Sequence, residues 1–163
     1  MILISGSNGF VGSHLIKQLS SLNIGLKLMA RSNKLEYDEP FYSCEITPST
    51  SYTDALKDVN VVIHCAAKVH IMNDIVSESL HEFRAVNTLG ALNLAKQAAQ
   101  AGVKRFIFLS SIKVNGESTT GEIPFSAHEK QAAEDPYSIS KAEAEQQLLE
   151  LGKQTDMEIV IIR

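Results

Sequence analysis

The sequence predicts an α/β protein, a doubly wound and mostly parallel sheet with helices on both faces. Two observations carry this expectation. Short apolar runs rich in β-branched residues recur along the chain, and the stretches between them show helical spacing or polar loop composition. Continuous apolar runs suit strands buried on both faces, and parallel neighbours need a crossover connection that is normally a helix. The expected sheet has about six strands in the order 3-2-1-4-5-6, that of two mononucleotide-binding halves placed side by side.

The first strand, Ile2–Ser5, leads into a segment where Val11, Leu15, Ile16, Leu19 and Leu22 are spaced for one helix face. Leu26–Met29 forms the second strand, and the polar stretch Asn33–Pro40 reads as a loop. Phe41–Cys44 is the least apolar strand, with Tyr42 and Ser43 inside it, and Val61–His64 is the fourth. An Ala- and Leu-rich helix is expected from about Ser79 to Ala101, with Gly102 placed to end it. Phe106–Leu109 is the fifth strand. Asn115–Asp135, rich in Gly, Ser, Thr and Glu and containing Pro124, reads as a loop longer than the ~12–15 residues of ordinary connections, and such loops tend to be functional or mobile. Asp135 and Pro136 have the character of a helix cap and first-turn proline, and Ile159–Ile162 supplies the sixth strand. No repeat or linker interrupts the pattern, so residues 1–163 are expected to form one domain.

Composition narrows the function classes. With 44% apolar and 21% charged residues the chain is globular rather than disordered, and its net charge of −4 argues against nucleic-acid or anionic-membrane surfaces. No stretch approaches the ~20 apolar residues of a membrane span, and the start Met1-Ile2-Leu3-Ile4-Ser5-Gly6 lacks the pattern of a signal peptide, so a cytoplasmic protein is expected. Cys44 and Cys65 form no CxxC and read as small buried hydrophobes. His14, His64, His70, His81 and His128 match no zinc-ligand spacing, so no metal is expected. Glu143, Glu145 and Glu150 read as the solvated face of the last helix.

The chemistry begins directly after the first strand, where Gly6-Ser7-Asn8-Gly9-Phe10-Val11-Gly12 opens the first helix. Gly6 suits the tight turn, Gly9 lets backbone approach a pyrophosphate, and Gly12 allows close helix–strand packing, with the helix N-terminus facing the phosphates. The spacing is GxxGxxG rather than GxGxxG. At the end of the second strand, where a carboxylate often holds the adenosine ribose, the chain reads Met29-Ala30-Arg31-Ser32. A guanidinium in that place suits a 2′-phosphate, so NADP is expected to be favoured over NAD.

A second group lies downstream. In Asp135-Pro136-Tyr137-Ser138-Ile139-Ser140-Lys141 the helix start places Tyr137 and Lys141 at i and i+4 on one face. A neighbouring ammonium favours phenolate and is expected to lower the tyrosine pKa, making Tyr137 a general acid/base. Ser110 and Ser111 follow the fifth strand and therefore sit at the sheet edge where open α/β sheets bind ligands.

These motifs, with Val62-Ile63-His64-Cys65-Ala66-Ala67 and Asn87, resemble the extended short-chain dehydrogenases/reductases, a Rossmann-type family. Within it the chain is most similar to the NAD-dependent epimerase/dehydratase group acting on nucleotide sugars. The resemblance implies Ser111, Tyr137 and Lys141 as the catalytic set, with Lys141 also holding the nicotinamide ribose and Asn87 orienting the site. It implies Gly6, Ser7, Asn8, Gly9, Phe10, Val11 and Gly12 around the pyrophosphate, Glu45 and Ile46 beside the adenine, and Ala66, Ala67 and Lys68 beside the cofactor sugars. It also implies an NAD(P)-dependent epimerase or keto-sugar reductase of surface-polysaccharide type, and pairing into a homodimer through helices such as Ala91–Ala101.

Two features depart from the family pattern. Its 4,6-dehydratases carry an acidic pair after the active-site hydroxyl residue, whereas Ser111 is followed by Ile112-Lys113, which disfavours dehydration. Family members also continue well past the sixth strand into a substrate-binding part. The chain ending at Arg163 is therefore expected to be the cofactor half of a longer enzyme, the alternative being a catalytically inactive dinucleotide-binding module.

Overall fold

A computed structural model describes residues 1–69, 76–119, 123–127 and 131–163. Six strands, β1 (Ile2–Ser5), β2 (Leu26–Ala30), β3 (Phe41–Ser43), β4 (Val61–His64), β5 (Arg105–Leu109) and β6 (Glu158–Ile162), form one sheet in the order β3-β2-β1-β4-β5-β6. Every pairing is parallel. The expected fold class and strand order are those observed, with strand ends displaced by one residue. The strand order reverses between β1 and β4, so a crevice opens at their carboxyl ends.

Helix α1 (Phe10–Ser20) covers one face of the sheet, where Ile16 packs with Ile4, Leu26, Leu28 and Ile63. The opposite face holds the larger core, with Leu3, Met29, Val62, Phe106 and Phe108 under α4 (Ala91–Gln100) and α5 (Pro136–Gln154). Ala91, Ala95 and Ala98 are wholly buried there, so their small size serves close helix–sheet packing within the chain.

Three local features depart from the sequence pattern. A four-residue helix, α2 (Thr53–Leu56), is too short to leave a periodic signature, yet it buries Ala55 and Leu56. The helix expected from about Ser79 starts earlier, as α3 (Val76–Phe83), and widens into a π-helical segment over Arg84–Gly90 before α4. Such widenings are rare and recur at functional sites. Gly102 does end the helix, at φ +81°, while Val103 N donates back to the Ala98 carbonyl. His70 and His128 lie outside the described residues. Among the described residues no helix is long and apolar enough to cross a membrane.

Candidate active site

Because all strands are parallel, the chain leaves β1, β2, β3, β4 and β5 at one edge of the sheet, and the site is assembled from those five exits. After β1 the backbone turns at Gly6 with φ +72°, where an added Cβ would stand 2.6 Å from the Ala66 amide nitrogen that follows β4. Only glycine fits there. Gly9 N donates to the Gly6 carbonyl over 2.9 Å, and Gly9 then caps α1 without any side chain to occupy its first amides. A Cβ at Gly12 would meet the Gly6 carbonyl oxygen at 2.3 Å, which is how closely helix and turn pack.

The first turn of α1 carries no acidic residue, and Phe10 is 83% exposed. Ser7 is fully buried, and its Oγ and the Oδ1 of Asn8 have no hydrogen-bond partner among the described residues. Asn8 is held by its other end, with Nδ2 donating to the Ser32 carbonyl. Buried polar atoms are normally satisfied, and of these two the Ser7 hydroxyl, beside open helix amides, can donate to an anionic group seated in the turn, while the Asn8 oxygen can only accept. The residues present therefore suit a dinucleotide pyrophosphate.

Arg31 extends from the end of β2 as an exposed side chain, with its carbonyl accepting from Ser43 Oγ at 2.9 Å. Glu45, after β3, is exposed, and its carbonyl accepts from Thr50 Oγ1 at 2.9 Å. Ile46 is half-buried against the larger core, where an added Cβ at Gly90 would stand 2.8 Å from its Cγ2.

Asn87 lies in the π-helical segment, almost wholly buried, and ties two parts of the site together. Its Oδ1 accepts from Lys68 N at 2.8 Å, while its Nδ2 donates to the Lys68 carbonyl at 3.0 Å and to Ser140 Oγ at 3.1 Å. The exit of β4, including Ala66, Ala67 and Lys68, is thereby fixed against the first turns of α5. Lys68 Nζ pairs with Glu82.

Asp135 caps α5 through Tyr137 N at 2.9 Å and Ser138 N at 3.1 Å. Ser111 caps the short 3-10 turn Ile112–Val114 that leaves β5, accepting from Lys113 N at 3.3 Å. Lys113 is bonded to one cap through its backbone amide and to the other through its side chain, with Nζ 3.4 Å from Asp135 Oδ2 and 3.2 Å from Glu117 Oε1. The Ser111 side chain lies near enough to the Tyr137 phenol to act on its titration.

The expected lowering of the phenol pKa by Lys141 is not observed. Burial pushes Tyr137 above the ordinary tyrosine value, Ser111 opposes this, Asp135 adds to it, and the cation acting against it is Lys113. Lys141 is turned away beneath the strand end, donating from Nζ to the Leu109 carbonyl at 2.6 Å and lying 3.8 Å from the centre of the Phe108 ring. Burial brings its pKa down to about 7, with Glu145 and Cys65 pulling it back up.

The expectation that the glutamates of α5 form a solvated face fails at Glu145, which is fully buried. Its carboxylate accepts from Ser110 Oγ, from Gln131 Nε2 at 2.9 Å and from Arg163 NH2 at 2.7 Å. The residue is legible in principle. Ser138, Lys141, Glu145 and Leu148 follow the three- and four-residue spacing of one buried helix stripe. His64 is a structural residue, with Nδ1 sharing a 2.6 Å hydrogen bond with Ser5 Oγ, Nε2 without a partner among the described residues, and its ring stacked on Phe108.

The profile of the NAD dependent epimerase/dehydratase family matches residues 2–163. A UDP-glucose 4-epimerase from Vibrio cholerae is 48% identical over 99% of this chain and 50% of its own length. A short-chain dehydrogenase/reductase superfamily protein from Agrobacterium tumefaciens with bound NAD superposes with TM-score 0.89 at 25% identity, over 100% of this chain and 48% of that one. MoeE5 in complex with UDP-glucose and NAD gives TM-score 0.84 at 25% identity, over 98% and 52%. The chain thus spans about half the length of these relatives. These complexes correct the expectation that Arg31 favours NADP, because the similar structures hold NAD. A single exposed guanidinium at a strand end is a common surface feature and does not by itself build a 2′-phosphate site.

Proposed function

This chain belongs to the NAD dependent epimerase/dehydratase family, and on that premise we propose that it is the NAD-binding and proton-transferring part of a nucleotide-sugar epimerase. The observation that carries the reading is the meeting of the glycine turn and the Ser111–Tyr137 pair at one sheet edge. NAD, when bound, supplies reversible hydride acceptance at a sugar carbon. The backbone amides from Gly6 to Gly12, with the unpartnered Ser7 hydroxyl as a further donor, would hold the pyrophosphate. Arg31, Glu45 and Ile46 line the approach to the adenosine end, and Ala66, Ala67 and Lys68 the approach to the ribose.

Tyr137 is the general acid/base in this reading. Ser111, beside it, is the second group able to bond a substrate oxygen. Lys141 contributes a buried charge below the site, and Asn87 keeps the β4 exit and α5 in register. The substrate is read as a UDP-hexose from the likeness to the 48% identical UDP-glucose 4-epimerase. A cytoplasmic location and a homodimer belong to the same reading. For the dimer, Leu89 and Leu149 are among the apolar side chains left about half exposed on helical segments.

The test is conversion of UDP-glucose to its C4 epimer in the presence of NAD, followed by chromatography. Tyr137→Phe is expected to abolish conversion while NAD affinity persists. An unchanged rate in that variant contradicts the assignment.

A further inference from the structure

Consecutive turns of α5 grip consecutive residues at the end of β5. Lys141 Nζ donates to the Leu109 carbonyl, and Glu145, one turn later, accepts from Ser110 Oγ. Ser111 is the next residue, and Ser110 N is itself bonded to the Ile162 carbonyl of β6 at 2.7 Å. The carboxylate that closes this grip is fully buried, and beyond Ser110 it collects Arg163 from the end of β6 and Gln131 from the segment before α5. A buried carboxylate is costly unless its lone pairs are filled, and here donors come from three separate parts of the chain. Arg163 also reaches Asn115 Oδ1 at 3.4 Å, which extends the network to the 3-10 turn.

We propose that Glu145 is a positioning residue of the active site, setting both the strand end that presents Ser111 and the charge carried by Lys141. The proposal rests on the reading of Ser111 and Lys141 as members of the proton-transferring group. The groups that face Lys141 are Glu145 from its own helix, His64 from β4 and Cys65 from the β4 exit, with Arg163 of β6 acting through Glu145. Of these, Glu145 is the fixed negative charge. Burial works against the Lys141 ammonium, and Glu145 offsets part of that cost. Arg163 shares the same carboxylate, and its charge is therefore expected to oppose that of Glu145 at Lys141.

Two substitutions with opposite expected signs test this. In the 163-residue chain labelled with 13C-lysine, the titration of Lys141 is followed by NMR in the absence of ligand, with Lys141→Met identifying the signal. Glu145→Gln, which keeps the shape and an acceptor, is expected to move the Lys141 midpoint down by about one pH unit. Arg163→Met is expected to move it up. A purely packing role for Glu145 leaves the midpoint unchanged in both folded variants, and that result overturns the proposal. If Glu145→Gln does not fold, the Arg163→Met arm decides alone, because an unshifted or lowered midpoint there contradicts the claim. The titration needs neither NAD nor turnover. Failure of NAD to bind therefore overturns the functional reading while leaving the coupling between Glu145 and Lys141 measurable.

Discussion

The ammonium of Lys141 lies 3.8 Å from the centre of the Phe108 ring, below the strand end rather than beside the Tyr137 phenol. The aromatic face and the Leu109 carbonyl partly replace the water it has lost, but not enough to keep its ordinary basicity. Its pKa of about 7 in the folded chain, against 10.5, has a consequence for stability. Between those values the unfolded chain binds the extra proton, so stability rises as pH increases from about 7 towards 10.5. Thermal melts across that range are expected to show the rise, and Lys141→Met is expected to remove this contribution to the slope. An identical slope in the variant contradicts the burial of a strained charge.

Tyr137 titrates above the ordinary tyrosine value, and Ser111 and Lys113 each hold it down. Ser111→Ala is therefore expected to raise its midpoint further, as is Lys113→Gln. The change in phenolate absorbance with pH, compared with Tyr137→Phe to identify the signal, measures this. A downward shift in either variant would show that the phenol is not coupled to those two residues.

His64 makes the chain sensitive to acid. Burial first, and the Lys141 charge second, bring its pKa from 6.5 to about 3, so the folded chain keeps the ring neutral where the unfolded chain protonates it. Its contribution is complete above pH 6.5 and is lost progressively as pH falls towards 3. His64→Gln, which keeps a polar group opposite Ser5 and does not titrate, is expected to flatten the fall in melting temperature over that range. The same steepness in both proteins would assign the acid sensitivity elsewhere.

Gly12→Ala is expected to destabilise the chain by about 1–3 kcal/mol, because overpacking against backbone cannot relax by a side-chain rotation. The added methyl would meet the Gly6 carbonyl oxygen at 2.3 Å. Denaturant unfolding measures the cost, and an unchanged midpoint would mean that helix and turn are less tightly packed than the structure has them.

The order of elements was legible because apolar runs and helical spacing alternate along this chain with little interruption, and because parallel pairing follows from that alternation. The glycine turn was legible because Gly6 and Gly12 are required by local geometry, a positive φ in one case and a close approach in the other. Tyr137 and Ser111 were legible by position, one on the first turn of a capped helix and the other just past a strand. What stayed hidden depends on long-range contacts. Glu145 looks like a solvated helix residue until Arg163 and Ser110, each distant in sequence, are folded around it. Lys141 shares a helix face with Tyr137, yet a strand carbonyl captures its ammonium, and the cation at the phenol comes from Lys113 instead. Helical spacing gives the face, but only the packing of α5 on β5 decides which partner a long side chain meets.

The central claim is that the turn from Gly6 to Gly12 is a working NAD site, and calorimetric titration of the chain with NAD tests it most directly. Gly9→Ala is the informative variant, since its φ suits alanine and the added Cβ would stand 3.2 Å from the Gly6 carbonyl oxygen, close enough to crowd the cradle without a severe clash. The account predicts that the chain binds NAD, and that Gly9→Ala weakens binding at least about tenfold while its melting temperature stays near that of the parent. Absence of NAD binding, or equal affinity in the folded Gly9→Ala variant, would contradict it.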